Sequence, residues 1–331
     1  MTFAFLQTTS ISSPREKYSR HLQDDQSSET RFRFEETLAK SNTILLGIFS
    51  MASIEAAAKR DLIRNTYIKD GGHHVCSLQE YEDMLTNKSK DEIECRVIYT
   101  FVLGGASYAQ QTLWSPKSNE RISLPKHHNW AEVEDDCTYL NIRENMNNGK
   151  SITYMAFASM IAEKFDIDYV AKIDDDTVTT IPLVIEKLND LPPSPFNRRI
   201  YGGLFTLKFS RMKYENHHLE ILYSQGQFYY MSRDLARFVG SEMPFENYYR
   251  LRFAAEDAAI GSYILTHERP ITIIDDFNSV FWRHPAKSLD DYKSWWDRRE
   301  EEGVMPFTHK HDTNFKWFCE DEFPRRGMVL Q

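Results

Sequence analysis

Five carboxylates in two short runs, Asp174-Asp175-Asp176 and Glu256-Asp257, carry most of the chemistry this sequence can offer. The first run follows the apolar stretch Ile167 to Ala171, with Lys172-Ile173 between them. Three carboxylates at the end of a buried strand concentrate negative charge outside the carboxyl ends of the strands, where ligands of open α/β sheets bind. Such a cluster calls for a cation. A hard divalent ion prefers oxygen ligands, and Mg²⁺ or Mn²⁺ held by one or two carboxylates commonly carries substrate phosphates on its remaining positions. The other reading is a solvated acidic turn. The second run opens a helix through Ala258-Ala259-Ile260-Gly261, and acids in a first helical turn are favoured by the helix dipole whatever the protein does. The same pair can supply a catalytic base, provided the fold brings it within hydrogen-bond reach of an attacking hydroxyl.

Those residues need a scaffold, and the hydrophobic pattern predicts one. Thr43 to Phe49 is an apolar run of the length expected for a strand covered on both faces. Ser53 is placed as N-cap of a helix over Ile54 to Tyr67, which sets Arg60 and Arg64 one turn apart on one face. A polar insertion, Lys69 to Asp91, separates this unit from a second buried strand, Arg96 to Leu103, stopped by Gly104-Gly105. Ser151 to Phe165 has apolar residues at helical spacing and leads into the strand Tyr169 to Ile173. Pro182 starts a helix over Leu183 to Leu188, and Pro192-Pro193-Ser194-Pro195 ends it. Short strands are expected at Ile200 to Gly203, Gln227 to Met231 and Ile271 to Ile274, and helices over Asp234 to Val239 and Ala258 to Leu265. No internal repeat interrupts the alternation. It predicts a doubly wound, Rossmann-like α/β domain with helices on both faces of a mostly parallel sheet.

At 331 residues the chain can hold one large domain or two ordinary ones. A hydrophobic content of 41% with 13% aromatic residues marks a globular protein. The net charge of -9 argues against a general nucleic-acid or anionic-membrane binder. A phosphate-bearing substrate therefore needs local help from a metal and a few basic side chains. Cys76, Cys95, Cys137 and Cys319 show no CxxC spacing, which excludes a zinc signature and leaves disulfides and free thiols both open. Asn87-Lys88-Ser89 is one sequon for N-glycosylation. No stretch approaches the roughly 18 apolar residues needed to span a bilayer, and the apolar patch in Met1 to Leu6 lacks the basic leader and length of a signal peptide. Residues 1–38 are expected to form a disordered tail or stem, followed by a single domain over 39–331 with a C-terminal extension from about residue 286.

Taken in order and approximate spacing, six segments resemble one family. They are Thr43 to Ser50; Arg60 with Ile63-Arg64-Asn65-Thr66-Tyr67; Phe101-Val102-Leu103-Gly104; Lys172 to Asp176; Tyr223-Ser224-Gln225-Gly226 with Tyr230-Met231-Ser232; and Glu256 to Gly261. Together they resemble the motifs of the β-1,3-galactosyltransferases and N-acetylglucosaminyltransferases of glycosyltransferase family 31, over residues from about Thr43 to Asp276. The sequence departs from the family in having Tyr67 where Trp is usual and Ala258 where Val is usual. The family's N-terminal membrane anchor has no counterpart in the first 40 residues.

The resemblance implies a GT-A fold, a divalent metal (usually Mn²⁺, otherwise Mg²⁺) and a UDP-sugar donor carrying galactose or N-acetylglucosamine. The hexose would pass with inversion to a hydroxyl of a glycan on a glycoprotein or glycolipid acceptor, in β-1,3 linkage. The expected compartment is the Golgi lumen. By the same resemblance Asp257 is the base and Glu256 its neighbour, while Asp176 is the direct metal ligand and Asp174 acts on metal-bound water or ribose. His284, in Phe281-Trp282-Arg283-His284-Pro285, is the candidate to complete the metal sphere, with a structural role as the other reading of a lone His, and His309 and His311 are poorer candidates. Arg60, Arg64, Lys172 and Asp175 fall to the donor, with surface ion pairing as the other reading of the three cations. Gly226 lets the backbone approach donor or acceptor closely, or else serves a turn of positive φ. In Tyr292-Lys293-Ser294-Trp295-Trp296-Asp297 a Trp could stack on a sugar face, but adjacent helical residues point in different directions, so at least one packs.

Two other classes compete. One is a non-catalytic glycan-binding relative, against which intact Asp174, Asp176 and Asp257 argue. The other is a metal-dependent phosphoryl-transfer enzyme, which would be favoured by a GxxxxGK[ST] loop that the sequence lacks.

Overall fold

The computed structural model describes residues 42–87, 92–105, 134–145, 147, 149–214, 217–251, 255–276 and 282–299. The expected tail, Cys319, His309 and His311 lie outside the described residues, as do Lys88 and Ser89 of the sequon.

β1 (Ile44–Phe49) runs into α1 (Ile54–Ile63), whose N-cap Ser53 accepts a hydrogen bond from the Ala56 amide at 3.1 Å. The helix does not continue regularly to Tyr67. Arg64–Ile68 forms a wider turn in which Thr66 leaves helical geometry, with φ -112° and ψ -110°. The Thr66 hydroxyl donates to Leu62 O at 2.8 Å, and a hydroxyl bonded back onto its own helix favours a bend.

The stretch expected as a polar insertion instead forms β2 (Val75–Ser77) and α2 (Leu78–Asn87). Leu78 and Tyr81 are buried one turn apart, with Met84 and Leu85 packed partly against the same core. A disulfide from Cys76 to Cys95 ties this unit to the start of β3 (Val97–Gly104). Then follow β4 (Cys137–Leu140), which the hydrophobic pattern did not reveal, α3 (Lys150–Lys164) and β5 (Tyr169–Asp174). The short β6 (Val178–Thr179) leads to α4 (Ile181–Asp190), with Pro182 in its first turn.

Two short strands were expected next, and the structure has a long antiparallel hairpin, β7 (Ile200–Tyr214) and β8 (His217–Ser232). Helices α5 (Arg233–Arg237), α6 (Phe245–Arg250) and α7 (Glu256–Ile264) precede β9 (Thr272–Asp275). β10 (Trp282–Arg283) and α8 (Leu289–Asp297) complete the described chain.

The main sheet has the order β2-β3-β1-β5-β8-β7-β9, with β4 also on β3. β2 pairs with Val97 to Tyr99 and β4 with Phe101 to Gly104, so the two lie end to end along one edge of β3. The pairs among β1 to β5 and that of β7 with β9 are parallel, while β8 runs against both β5 and β7. This is the mixed α/β architecture, with a mostly parallel sheet flanked by helices, that the alternation predicts.

Side chains alternate cleanly across the sheet. Leu45, Ile98 and Val170 enter one core with Tyr81, Tyr154 and Ile260 from α2, α3 and α7. Ile44, Leu46, Ala171 and Ile173 enter the other with Ile63, Val184 and Tyr292 from α1, α4 and α8. Tyr154 crosses β1 so closely that a Cβ at Gly47 would lie 2.3 Å from its ring. The chain leaves β1 on one side for β3 and returns on the other as β5. Asp174 ends β5 beside Phe49, at the reversal of strand order where ligands of such sheets bind.

Candidate active site

The Asp run turns off the end of β5, and a second, two-stranded sheet brings the downstream chain back to it. β10 pairs with β6 through Arg283 with Val178 and Trp282 with Thr179, and the Ala286 amide donates to Asp176 O at 2.8 Å. His284 is thereby set with its Nε2 3.4 Å from Asp176 Oδ1. Ligand atoms of Asp174, Asp176 and His284 all lie within 4.8 Å of one another. Two carboxylate oxygens and an imidazole nitrogen, all partly exposed, form a donor set that suits a borderline-hard divalent ion such as Mn²⁺. Burial opposes ionisation of Asp176, but the His284 contact outweighs it and holds the carboxyl below its ordinary value.

Asp175 points elsewhere. Its Oδ2 accepts from the Ser50 hydroxyl at 2.8 Å and its Oδ1 lies 3.7 Å from Lys59 Nζ. Burial pushes its carboxyl upward despite both partners. It ties the Asp loop to the end of β1, so the structure gives it a bracing position rather than one in the donor set of Asp174, Asp176 and His284.

The second acidic pair opens α7 as expected, and β8 holds it. Asp257 Oδ2 accepts from the Gly226 amide at 3.1 Å and Oδ1 from the Ala258 amide at 2.7 Å. Burial and the neighbouring Glu256 charge raise the Asp257 carboxyl above its ordinary value, against the pull of those two amides. Glu256 Oε1 accepts from the Tyr229 hydroxyl at 2.8 Å. Gly226 needs no positive φ. A Cβ there would stand 3.4 Å from both Asp257 Cβ and Lys172 Nζ, so the close approach is to this chain's own charged groups.

Lys172 projects from β5 into the same space. Its Nζ lies 2.8 Å from Asp174 Oδ1 and 3.5 Å from Glu256 Oε2, and it donates to Gly226 O. Burial disfavours the ammonium, but Asp174 and Glu256 more than compensate and raise its pKa.

The three cations expected at the donor are all engaged in ion pairs, and apart from the exposed Arg64–Asp61 contact these pairs are at least partly buried. Arg60 is fully buried, bonding Glu134, Ser50 Oγ at 3.1 Å and Met51 O at 2.8 Å. Arg64 bonds Glu134, Asp136 Oδ1 at 2.7 Å and Asp61 Oδ1 at 2.7 Å. Glu134 and Asp136 bring Cys137 into a second group within 4.8 Å, but the arginines already neutralise the carboxylates. Burial, with the two carboxylates, pushes the Cys137 thiol well up, away from the thiolate that a metal would need.

Sequence reasoning missed Tyr229, Ser50, Lys59, Glu134 and Asp136. The acidic run before Cys137 was a visible signal, whereas Tyr229 carried none beyond its place in an alternating strand. The paired Trp residues both pack: the Arg283 guanidinium stands 4.5 Å over Trp295 and that of Arg299 3.9 Å over Trp296.

Residues 58–272 match a family model described as galactosyltransferase. The matched span contains the Asp run, Gly226 and Glu256-Asp257, and it ends before His284. No curated protein matches the chain.

Proposed function

The chain belongs to the galactosyltransferase family, and from that premise we propose that it is an inverting hexosyltransferase moving galactose or N-acetylglucosamine from a UDP-sugar to a glycan hydroxyl in β-1,3 linkage. Family membership carries the coarser statement, glycosyl transfer from a sugar donor to a glycan acceptor, and the mixed α/β sheet is consistent with a GT-A-like fold. The sugars and the linkage follow the motif resemblance, and the metal-assisted, single-base part of the proposal is supported by one observation: the Lys172 ammonium on β5 contacts both Asp174, of the Asp174, Asp176 and His284 group, and Glu256, the neighbour of Asp257.

A divalent cation held by Asp174, Asp176 and His284 would supply Lewis-acid neutralisation of the charge that builds on a departing UDP. The remaining steps fall to side chains. Asp257 is the proton acceptor for the attacking hydroxyl: it is fixed by two backbone amides, and a raised pKa makes it a better base than an ordinary aspartate. One base on the opposite face from the leaving group corresponds to inversion. Glu256, tied by Tyr229 and Lys172, holds the first turn of α7 in place. A Golgi location is proposed on the same family ground; among the described residues no helix is long and apolar enough to cross a membrane.

The deciding experiment is Mn²⁺-dependent release of UDP measured across a panel of UDP-sugars with β-linked galactosyl and N-acetylglucosaminyl acceptors. Turnover with one donor, abolished by chelator and restored by Mn²⁺, is expected. No release with any donor, together with no calorimetric binding of UDP in the presence of Mn²⁺, would overturn the enzyme reading.

A further inference from the structure

The candidate metal group and the candidate base touch the same buried ammonium. Lys172 has three N–H donors, and three acceptors surround it: Asp174 Oδ1, Glu256 Oε2 and Gly226 O. The residue is 3% exposed and is walled by the rings of Phe49, 5.3 Å from Nζ, and Tyr229, 5.7 Å away. An ammonium so enclosed cannot exchange a lost partner for water. Tightening one of its contacts must loosen another.

Each contact leads to a different part of the site. Asp174 belongs to the donor set with Asp176 and His284. Gly226 donates its amide to Asp257 while its carbonyl accepts from Lys172, so one peptide segment links the ammonium to the base. Glu256 precedes Asp257 in the first turn of α7 and is also held by Tyr229.

We propose that Lys172 is a positioning residue that couples the two halves of the site, its ammonium being shared so that the availability of Asp174 to a cation depends on the charge at Glu256. The coupling deepens the transferase reading and rests on it. With Asp174 engaged by a cation, Lys172 keeps Glu256 and the Gly226 carbonyl as acceptors, which draws β8 and the start of α7 together around Asp257. Linkage makes the effect reciprocal: neutralising Glu256 leaves Lys172 leaning on Asp174 and weakens cation binding there.

A double-mutant cycle tests this with a binding readout. Calorimetric titration of UDP at a fixed, subsaturating Mn²⁺ concentration, where cation affinity limits UDP binding, is carried out on the wild-type protein, Glu256→Gln, Lys172→Gln and the double variant, with circular dichroism as the check on folding. Glu256→Gln is expected to weaken binding by roughly fivefold in the wild-type background, in the range of couplings between contacting charges. In the Lys172→Gln background the same change is expected to move Kd by less than twofold.

Equal effects of Glu256→Gln in the two backgrounds, or none in the wild type, would overturn the coupling while leaving the transferase reading intact. A wild type that binds no UDP with Mn²⁺ would instead overturn that reading. If Lys172→Gln does not fold, Lys172→Arg replaces it. Retained charge should then preserve the fivefold effect of Glu256→Gln, and its loss would count against a shared cation.

Discussion

At the scale of single residues, the two acidic runs are held apart, as the proposed division of one reaction between them requires. Asp176 stands with Asp174 and His284, whereas Asp257 is bound to amides of β8 and α7 and touches none of that group. Asp176→Ala should therefore weaken UDP binding in Mn²⁺ by roughly 100-fold or more, since loss of an outer-shell partner alone costs 10- to 100-fold. Asp257→Asn should leave that affinity within about threefold and lower kcat by roughly 10² to 10⁴. Calorimetry and initial rates separate the two, and an Asp257→Asn enzyme with most of its activity would refute the base assignment. The raised carboxyl of Asp257 adds a pH prediction. A base works when deprotonated, so transfer should fall on the acid side through a pKa above the ordinary value of about 3.9. A kcat/KM profile flat down to about pH 4 would contradict it. Residue type and order made Asp174, Asp176, Glu256 and Asp257 legible as candidates, because clustered carboxylates need no fold to be conspicuous. The long-range partners of Arg60, Arg64 and Lys172 were not legible. Glu134 lies 74 residues from Arg60 and Glu256 lies 84 from Lys172, separations that only the folded sheet closes.

At the scale of elements, the buried strands were readable and the half-polar pieces were not. β1, β3 and β5 are covered on both faces, so each appears as a nearly continuous apolar run, interrupted by Thr100 in β3 and Lys172 in β5. α2 carries only Leu78 and Tyr81 as fully buried residues among acids and amides, and its sequence reads as an insertion. β7 and β8 alternate, as Phe205-Thr206-Leu207-Lys208-Phe209 shows, and a pattern that looks polar on average hides a long hairpin. The Cys76–Cys95 bond secures the least apolar of these pieces, spanning a sequence separation of 19. Closing a loop of that size removes unfolded-state entropy equivalent to about 3 kcal/mol. Replacing both cysteines by serine, or adding reductant, should lower the melting temperature by roughly 5–10 °C for a chain of this size. Identical melting with and without reductant would mean that the bond does not constrain the unfolded chain. Because β2 lies at an edge of the sheet, with β3 and β1 between it and β5, UDP binding in Mn²⁺ should be little changed by the same substitutions.

At the scale of the whole molecule, a protein of net charge -9 gathers Asp174, Asp175, Asp176, Glu256 and Asp257 around one end of β5. Against them stand Lys172 and Lys59, with His284 alongside. An anionic diphosphate is repelled by such a surface unless a cation intervenes, which general charge balance suggested before any fold was known. The cores do not depend on that cation, for each face of the sheet is filled by its own helices. The folded protein should therefore persist in chelator, at a lower melting temperature than when ligand is bound. A ligand that binds only the native state stabilises it by RT ln(1 + [L]/Kd), about 2.7 kcal/mol at 100 times Kd. For a domain of this size that is a rise of roughly 5–10 °C. Mn²⁺ and UDP together should produce it, whereas UDP in chelator should not, because the diphosphate alone meets the uncompensated carboxylates. Asp176→Ala should abolish the rise, and Asp257→Asn should retain it because that carboxylate lies outside the cation's donor set. Equal stabilisation by UDP with and without Mn²⁺ would mean that the charge at the end of β5 is balanced by side chains alone.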